Sequence, residues 1–417
     1  MTRWNVLHKM LYVLTAILIA LFVYGITRGL SLRELAGWAW SGVRTAKNIA
    51  IVMLLVGALT ALWRSCGTIS YIVDLASGAL SPGLFLPAAF LLNSAISVLT
   101  GTSIGTAATM GVICMNVGMS LGINPAICGG AILSGAYYGD RCSPVSTSAL
   151  LVAQVTKTNL YDNIRGMIRT GWIPTVLALA IYGTLGFLMN GGSADSGTAE
   201  ILKSGTAEAF SAKWYLALPA ISILVLAIFR VDVKINMLIS IAISASLFLC
   251  GGDAGNMSML GHSFVELGKI TFLGMLGMMK LILVVLISLT FAGLFRGLGI
   301  LTRIHQLISK ISGRISPFGC TTLTAIFTSA VACNQTLAIV LTNEICEGVM
   351  PNEKQRAIAI ENTAVIIAPL VPWTVASLVP LGTIGAPTSS ILFAFFLILT
   401  PVIQMAAGLK SRHLLPG

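Results

Sequence analysis

The sequence predicts an all-α polytopic membrane protein made of two inverted repeats, each carrying a re-entrant hairpin and a broken transmembrane helix. Three observations lead there. Of 417 residues, 56% are hydrophobic and 9% charged, with a mean hydropathy of +0.92, whereas an average soluble domain is about 25% charged. Apolar runs of spanning length follow one another, and four of them are interrupted by Gly, Pro or polar residues. The order of these features recurs on the two sides of one polar segment.

The first element is an apolar run from Met10 to Tyr24 behind Arg3 and Lys9. No A-x-A-like cleavage site follows, so it reads as a transmembrane helix and not as a signal peptide. A span needs roughly 20 apolar residues, and uninterrupted spans are expected at 10–27, 47–64, 171–190, 214–229, 235–250, 271–295 and 388–408. Interrupted segments are expected at 81–121 (break Thr100–Ser103), 126–155 (break Gly139–Pro144), 316–350 (break Cys333–Thr336) and 355–382 (break Pro369–Pro372). Residues 191–213 are Gly/Ser-rich, polar and mixed in charge, and read as an external linker. They divide the chain into a first repeat, 1–190, and a second, 214–417.

The halves match in detail. Leu62–Trp63–Arg64 leads to Ser81-Pro82, and Leu294–Phe295–Arg296 leads to Ser316-Pro317; each Ser-Pro opens an apolar segment that meets a polar break. Charge then sets their relation. Arg296, Arg303, Lys310 and Arg314 crowd the second connection, while 65–80 carries only Asp74. Lys157, Arg165 and Arg169 follow the first broken helix, while 383–387 is uncharged. Positive charge stays inside, so matching connections lie on opposite sides. Placing 28–46, 156–170, 230–234, 296–315 and 351–356 inside as loops closes the topology if 81–121 and 316–350 are re-entrant. This is the plan of secondary transporters working by alternating access.

Other classes are disfavoured. The net charge of +11 comes from short loops between apolar spans, with no basic run interleaved with aromatics, so nucleic acid is not a partner. The eight cysteines include no CxxC and mostly sit in apolar segments, and the four histidines are scattered, so neither a disulfide framework nor a zinc site is expected. A membrane-embedded enzyme would need a nucleophile–base pair, and no His is near Asp140 or Glu361 in sequence. A channel is disfavoured by the single chain of two broken-helix halves.

A break at membrane depth frees backbone groups that are tolerated only against protein or a watery cavity, so the four breaks mark the site. Gly139 and Pro144 are expected to break one helix, Pro369 and Pro372 the other. Oxygen ligands for a hard cation are available from Thr100, Gly101, Thr102 and Ser103, from Ser143, Ser146 and Thr147, from Asn334, Gln335 and Thr336, and from Asn362 and Thr363. In these stretches only Asp140 and Glu361 can exchange a proton. Each has a structural alternative: Asp140 with Arg141 as an ion pair closing the break, Glu361 paired to Lys354 or Arg356, and the hydroxyl and amide groups as helix caps. Lys280 reads as a snorkelling side chain, and Trp373 as packing.

In LTGTSIGTAATMGV (99–112), SGAYYGDRCSPVSTSALL (134–151), ENTAVIIAPLVPW (361–373) and GTIGAP (382–387), the chain resembles the NhaC family of Na⁺/H⁺ antiporters. The resemblance runs from about Gly42 to Pro387. It implies cation-coupled antiport in the cell (inner) membrane, four breaks meeting near the bilayer midplane, and dimers among related architectures. The chain departs from the family pattern where an acidic residue is usual: Thr147 after Ser146, Asn334 in the second tip, and Asn362 after Glu361. Na⁺/H⁺ exchange is therefore the first expectation. A Na⁺-coupled carrier or exchanger of a small organic acid or amino acid is the alternative, raised by those neutral replacements. No cofactor is expected; Na⁺ and H⁺ are cargo and membrane lipid is the surrounding partner.

Overall fold

A computed structural model describes residues 2–44, 47–72, 82–190, 214–229, 231–250, 264–298 and 315–412. The linker 191–213 and the charged positions Asp74, Arg303, Lys310 and Arg314 lie outside the described residues. Among the described residues every regular element is a helix. Four helices are long and apolar enough to cross a membrane: 83–100, 160–188, 233–250 and 264–295. A fifth candidate is the pair 353–370 and 375–383, bent by 58° at its break. The chain is a multi-pass membrane protein.

The first half begins with α1 (Thr2–Thr27), α2 (Leu32–Val43) and α3 (Lys47–Ser65). Helix α2 lies within 28–46, where the sequence predicts an inner loop. Its start is a capping box: the Glu34 N–H donates to Ser31 Oγ (3.2 Å) and the Ser31 N–H donates to Glu34 Oε2 (2.9 Å). Its buried Leu35 packs against Gly25 of α1. Then come α4 (Pro82–Thr100), the single turn α5 (Ser103–Thr106), a π-helical turn (Ala107–Gly111) and α6 (Val112–Ser120). The broken helix is α7 (Pro125–Cys142) plus α8 (Thr147–Val155), followed by α9 (Leu160–Asn190). Helix α9 also takes up most of the expected inner loop 156–170; Asn159 caps it by accepting from the Tyr161 and Asp162 N–H groups.

The second half contains α10 (Leu218–Ile228), α11 (Val233–Cys250) and α12 (Phe264–Gly297). Next are α13 (Pro317–Ala332) and α14 (Gln335–Cys346), then α15 (Glu353–Glu361), α16 (Ala364–Ile367), a 3₁₀ turn at Ala368–Leu370 and α17 (Val375–Thr383). A 3₁₀ turn (Thr388–Phe393) leads to α18 (Phe395–Arg412).

Small residues let these helices approach closely, as helices must in lipid, where dispersion replaces the hydrophobic drive. Gly57 of α3 lies against Gly274 of α12, and Gly42 of α2 against the Leu289 carbonyl of α12. Gly135 of α7 sits on the Phe90 carbonyl of α4. Around that seam Phe90, Tyr138, Tyr182 and Phe396 form an aromatic cluster with ring centroids 5.1–6.2 Å apart. The Tyr182 hydroxyl donates to the Phe393 carbonyl (2.8 Å), tying α9 to the segment before α18.

Both interrupted apolar segments fold back as hairpins. Asn93 Nδ2 of α4 donates to Cys114 Sγ of α6 (3.4 Å), and Thr328 of α13 shares a hydrogen bond with Thr342 of α14 (2.8 Å). The two tips have the same backbone. Gly101 (φ +66°) precedes the extended cap Thr102 (φ −150°, ψ 123°), and Cys333 (φ +53°) precedes the extended cap Asn334 (φ −144°, ψ 131°).

Candidate functional site

Each tip rests on the break of its own half. A Cβ on Gly101 would lie 2.7 Å from the Val145 carbonyl carbon and oxygen, so only glycine admits this approach. In the second half the Val375 N–H, at the start of α17, donates to the Cys333 carbonyl (2.9 Å). The halves are also stitched to each other. The Tyr137 hydroxyl of α7 donates to the Ala376 carbonyl of α17 (2.7 Å). Within the second half Gln335 Nε2 donates to the Val365 carbonyl of α16 (2.9 Å).

The first break is held by serines. Ser143 Oγ donates to the Val98 carbonyl (2.7 Å), clamping the break to α4. Ser146 caps α8 by accepting from the Ser148 and Ala149 N–H groups (3.2 and 3.4 Å). The same hydroxyl donates to Asp140 Oδ1 (2.6 Å), and Ser103 of the first tip donates to Asp140 Oδ2 (3.3 Å). Asp140 is 3% exposed. Both its oxygens accept hydroxyl protons, the pattern of an ionised carboxylate, which only accepts.

The second break is looser. Glu361 ends α15 and is fully buried, and neither carboxylate oxygen accepts a hydrogen bond. Asn362 and Thr363 form the turn after it, with Thr363 Oγ1 donating back to the Ala359 carbonyl (2.6 Å). Thr374 caps α17 and also donates to the Ala368 carbonyl (2.7 Å), closing the stretch that contains Pro369 and Pro372.

Arg141 joins the two breaks. Its Nη2 donates to the Asn362 side-chain oxygen, to the Met167 carbonyl (2.9 Å) and to Thr170 Oγ1 (3.0 Å). The residue is fully buried, and its Nε and Nη1 have no acceptor. A Cβ on Gly171 would come within 2.9 Å of Nη1, so the glycine makes room for the guanidinium. Asn362, which holds Arg141, directly follows Glu361, so the arginine, its neighbour Asp140 and Glu361 share one region of the fold.

These positions decide several alternatives. Asp140 and Arg141 form no ion pair: adjacent residues on a helix point to different sides, and each side chain has its own partners. Glu361 does not pair with Lys354 or Arg356, because Arg356 donates to Asn343 Oδ1 (2.9 Å) and the Met350 carbonyl (2.9 Å), while Lys354 meets Asp162 (3.7 Å). Trp373 packs on the second hairpin, its Nε1 donating to the Ala330 carbonyl (2.9 Å). Lys280 is exposed on α12.

Three expected residues are placed otherwise. Gly139 does not break the helix, since α7 continues to Cys142. Its role is close packing: a Cβ there would meet the Ser94 carbonyl and the Val98 nitrogen of α4 at 2.6 Å. The break itself is Ser143–Ser146, and Pro144 lies in it. Thr147 and Thr336 sit in the first turns after their caps and are exposed. Ser103, Asp140, Ser143, Ser146, Asn362, Thr363 and Glu361 are buried, while Thr100, Thr102, Asn334 and Gln335 are half-buried at the tips. Thr102 and Asn334 cap the helices after them. Tyr137 and Ser148 are additional members. Tyr137 is three residues before Asp140, on the same helix face, and that spacing is visible in the sequence.

Comparison with known proteins identifies the family. The model of the Na⁺/H⁺ antiporter family matches residues 2–156 and 148–409. The chain is 27% identical over 387 residues to a malate-2H⁺/Na⁺-lactate antiporter of Bacillus subtilis, covering 88% of this chain and 82% of the relative. It is 28% identical over 388 residues to the Na⁺/H⁺ antiporter NhaC of Alkalihalophilus pseudofirmus (88% and 83% covered). It is 26% identical over 408 residues to the arginine/ornithine antiporter ArcD of Halobacterium salinarum (89% and 82% covered). With both halves matched, this chain belongs to the Na⁺/H⁺ antiporter family.

Proposed function

We propose that the chain is a secondary carrier of the cell (inner) membrane that exchanges Na⁺ for H⁺ by alternating access at the four-break site. One observation carries this reading: two fully or almost fully buried carboxylates, Asp140 and Glu361, stand where hairpin tips and helix breaks converge. Intramembrane acids are expensive and persist for ion pathways and proton relays. Asp140 is pre-organised by Ser103 and Ser146 and serves as the permanent anion of the site. Glu361, without a hydrogen-bond partner, takes either the proton or the cation. Hydroxyl oxygens of Ser103, Ser146 and Thr102, with the carbonyls of Gly101 at the first tip and Val145 at the first break, complete a hard-cation ligand set. No cofactor enters; Na⁺ and H⁺ are cargo.

Two inverted repeats, 1–190 and 214–417, remain the organising plan of the proposal. Similar tip conformations at Gly101-Thr102 and Cys333-Asn334 support it, as does the contact of each tip with its own break. The surrounding partner is lipid, and the carrier forms a homodimer.

A second reading is exchange of a small organic acid or amino acid with Na⁺. Relatives named for malate and lactate and for arginine and ornithine favour it, as do the neutral Asn334 and Gln335 at the second tip. One experiment separates the two. Purified protein is reconstituted in liposomes holding a pH-sensitive dye and a pre-set pH gradient, and Na⁺, Li⁺ or K⁺ is added outside. A saturable Na⁺-dependent collapse, absent in Asp140→Asn, is the expected result. A flat trace from folded protein overturns Na⁺/H⁺ exchange, and Na⁺-driven uptake of carboxylates and amino acids then becomes the reading to measure.

A further inference from the structure

We propose that Arg141 is a resident cation that sets the charge of the transport site, so that the site holds one monovalent cation at a time and rejects divalent ones. The proposal rests on the exchange reading above and specifies its ion.

The argument is a charge count on fixed geometry. Asp140 and Glu361 supply two negative charges when ionised, and Arg141 supplies one positive charge that no ordinary pH removes. Its anchors are protein groups: Asn362 beside the second break, and the Met167 carbonyl and Thr170 on α9. Gly171 leaves the space it fills. No other charged group among the described residues faces this cluster. Of the other bases and acids on α15 and α9, Arg356 is engaged with Asn343 and Met350, Lys354 and Arg165 lie against Asp162 at the surface, and Glu353 and Arg169 are exposed. The other titratable neighbours are Cys142, a buried thiol, and Tyr137, a buried phenol whose hydroxyl donates to the Ala376 carbonyl. The ionised cluster therefore sums to one negative charge.

That sum has two consequences. Charge in a low-dielectric interior is costly, so a site moving between membrane faces crosses most readily when its total charge is zero. One Na⁺ brings the cluster to zero; one divalent ion, or a second Na⁺, leaves it at plus one. An empty cluster keeps its negative charge and is held back, which makes exchange obligatory instead of a leak. The unfilled donors Nε and Nη1 fit this role. They keep the guanidinium available to the Glu361 carboxylate when the cation leaves, without Arg141 having to abandon Asn362.

The test uses the purified full-length protein in detergent, with ²²Na⁺ binding at equilibrium as the readout and Ca²⁺ as the divalent competitor. The wild type is expected to bind one Na⁺ per chain with Ca²⁺ a weak competitor. Arg141→Gln, confirmed as folded by a monodisperse elution profile, is expected to be displaced by Ca²⁺ at a concentration roughly tenfold lower or less, or to bind a second Na⁺. Arg141→Lys, which keeps the charge and loses the planar fork, is expected to keep one Na⁺ and the weak Ca²⁺ competition. A purely structural arginine would not divide the two variants by charge. Two Na⁺ per wild-type chain, or unchanged Ca²⁺ competition in folded Arg141→Gln, overturns the proposal while leaving exchange intact. If Arg141→Gln does not fold, the wild-type stoichiometry decides alone. Folded wild type that binds no Na⁺ overturns the exchange reading, and this proposal with it.

Discussion

The two halves build the same backbone device and equip it differently. In both, a residue with positive φ and an extended cap turn the hairpin, and the tip touches the neighbouring break. The first half closes tightly. Gly101 packs on the Val145 backbone, and Asp140 is gripped by Ser103 from the tip and Ser146 from the break. The second half closes by hydrogen bonds to carbonyls, Val375 to Cys333, Gln335 to Val365 and Trp373 to Ala330, and its acid is left without a hydrogen bond. A carboxylate that is already satisfied has little to gain from a proton. One that is buried and unsatisfied gains from either a proton or a cation. The proposed exchange uses this contrast to divide the labour: a fixed anion in the first half and an exchangeable one in the second.

The largest effect expected from breaking this contrast is at Asp140. Asp140→Asn removes the permanent charge and places an amide where two serines donate. Na⁺ half-saturation should rise on the order of 10–100-fold, since hydrogen bonds to a charge are worth about 1.5–3 kcal/mol, and Na⁺-driven dye recovery should disappear at millimolar Na⁺. Membrane insertion should be unchanged. Normal transport would remove Asp140 from the site. Glu361→Gln tests the other half. A glutamine cannot release a proton, so the dependence of exchange on pH should vanish while Na⁺ binding weakens less than in Asp140→Asn. An unaltered pH profile, measured as initial rate across pH 6–9, would place proton coupling on another group.

These residues show how far the sequence reaches. The tips, both proline-containing breaks and the two acids are legible, because a Gly-Thr-Ser, a Ser-Pro or a buried acid inside an apolar run has few structural uses. Partners are less legible. Arg141 finds Asn362 across 221 positions and Tyr137 finds Ala376 across 239, and nothing local encodes such distances. Gly139 illustrates a different failure. Glycine beside Asp and before Ser-Pro reads as a breaker, yet here the missing side chain serves contact with α4, and the helix runs on to Cys142. Helix α2 was hidden by its Gly and Trp content, although its Ser31–Glu34 capping box is a sequence signature.

The close packing of the first half is tested next. Gly101→Ala places a methyl group 2.7 Å from the Val145 carbonyl and demands a positive φ of alanine. The expected cost is about 1–3 kcal/mol from overpacking alone, read as a lower thermal midpoint of the purified protein. Cys333→Ala keeps the Val375 hydrogen bond, which is made to backbone, and should cost less than Gly101→Ala. Equal losses would mean that the tips close alike. Ser146→Ala is expected between them. It removes the cap of α8, worth about 1 kcal/mol, and one donor to Asp140, so stability and Na⁺ affinity should fall together. A loss confined to stability would reduce Ser146 to a cap.

The smallest effect belongs to Thr147 and Thr336, which sharpen the comparison by bounding the site. Both follow a capping residue in the first turn after a break, one in each half, and both hydroxyls look like cation ligands in the sequence. Both side chains are exposed, and the serine and asparagine before them do the capping. Thr147→Ala and Thr336→Ala should therefore change stability by no more than about 0.5 kcal/mol, and leave the Na⁺ half-saturation constant within roughly twofold, equivalent to about 0.4 kcal/mol. The pair is informative because alternating access changes what each half faces. If the exposed threonines stay outside the site in every state of the cycle, both variants are silent with Na⁺ presented from either side of the liposome. A tenfold loss from one side alone would show that a threonine turns inward in the opposite state. Its half would then supply a ligand there that the present state does not use.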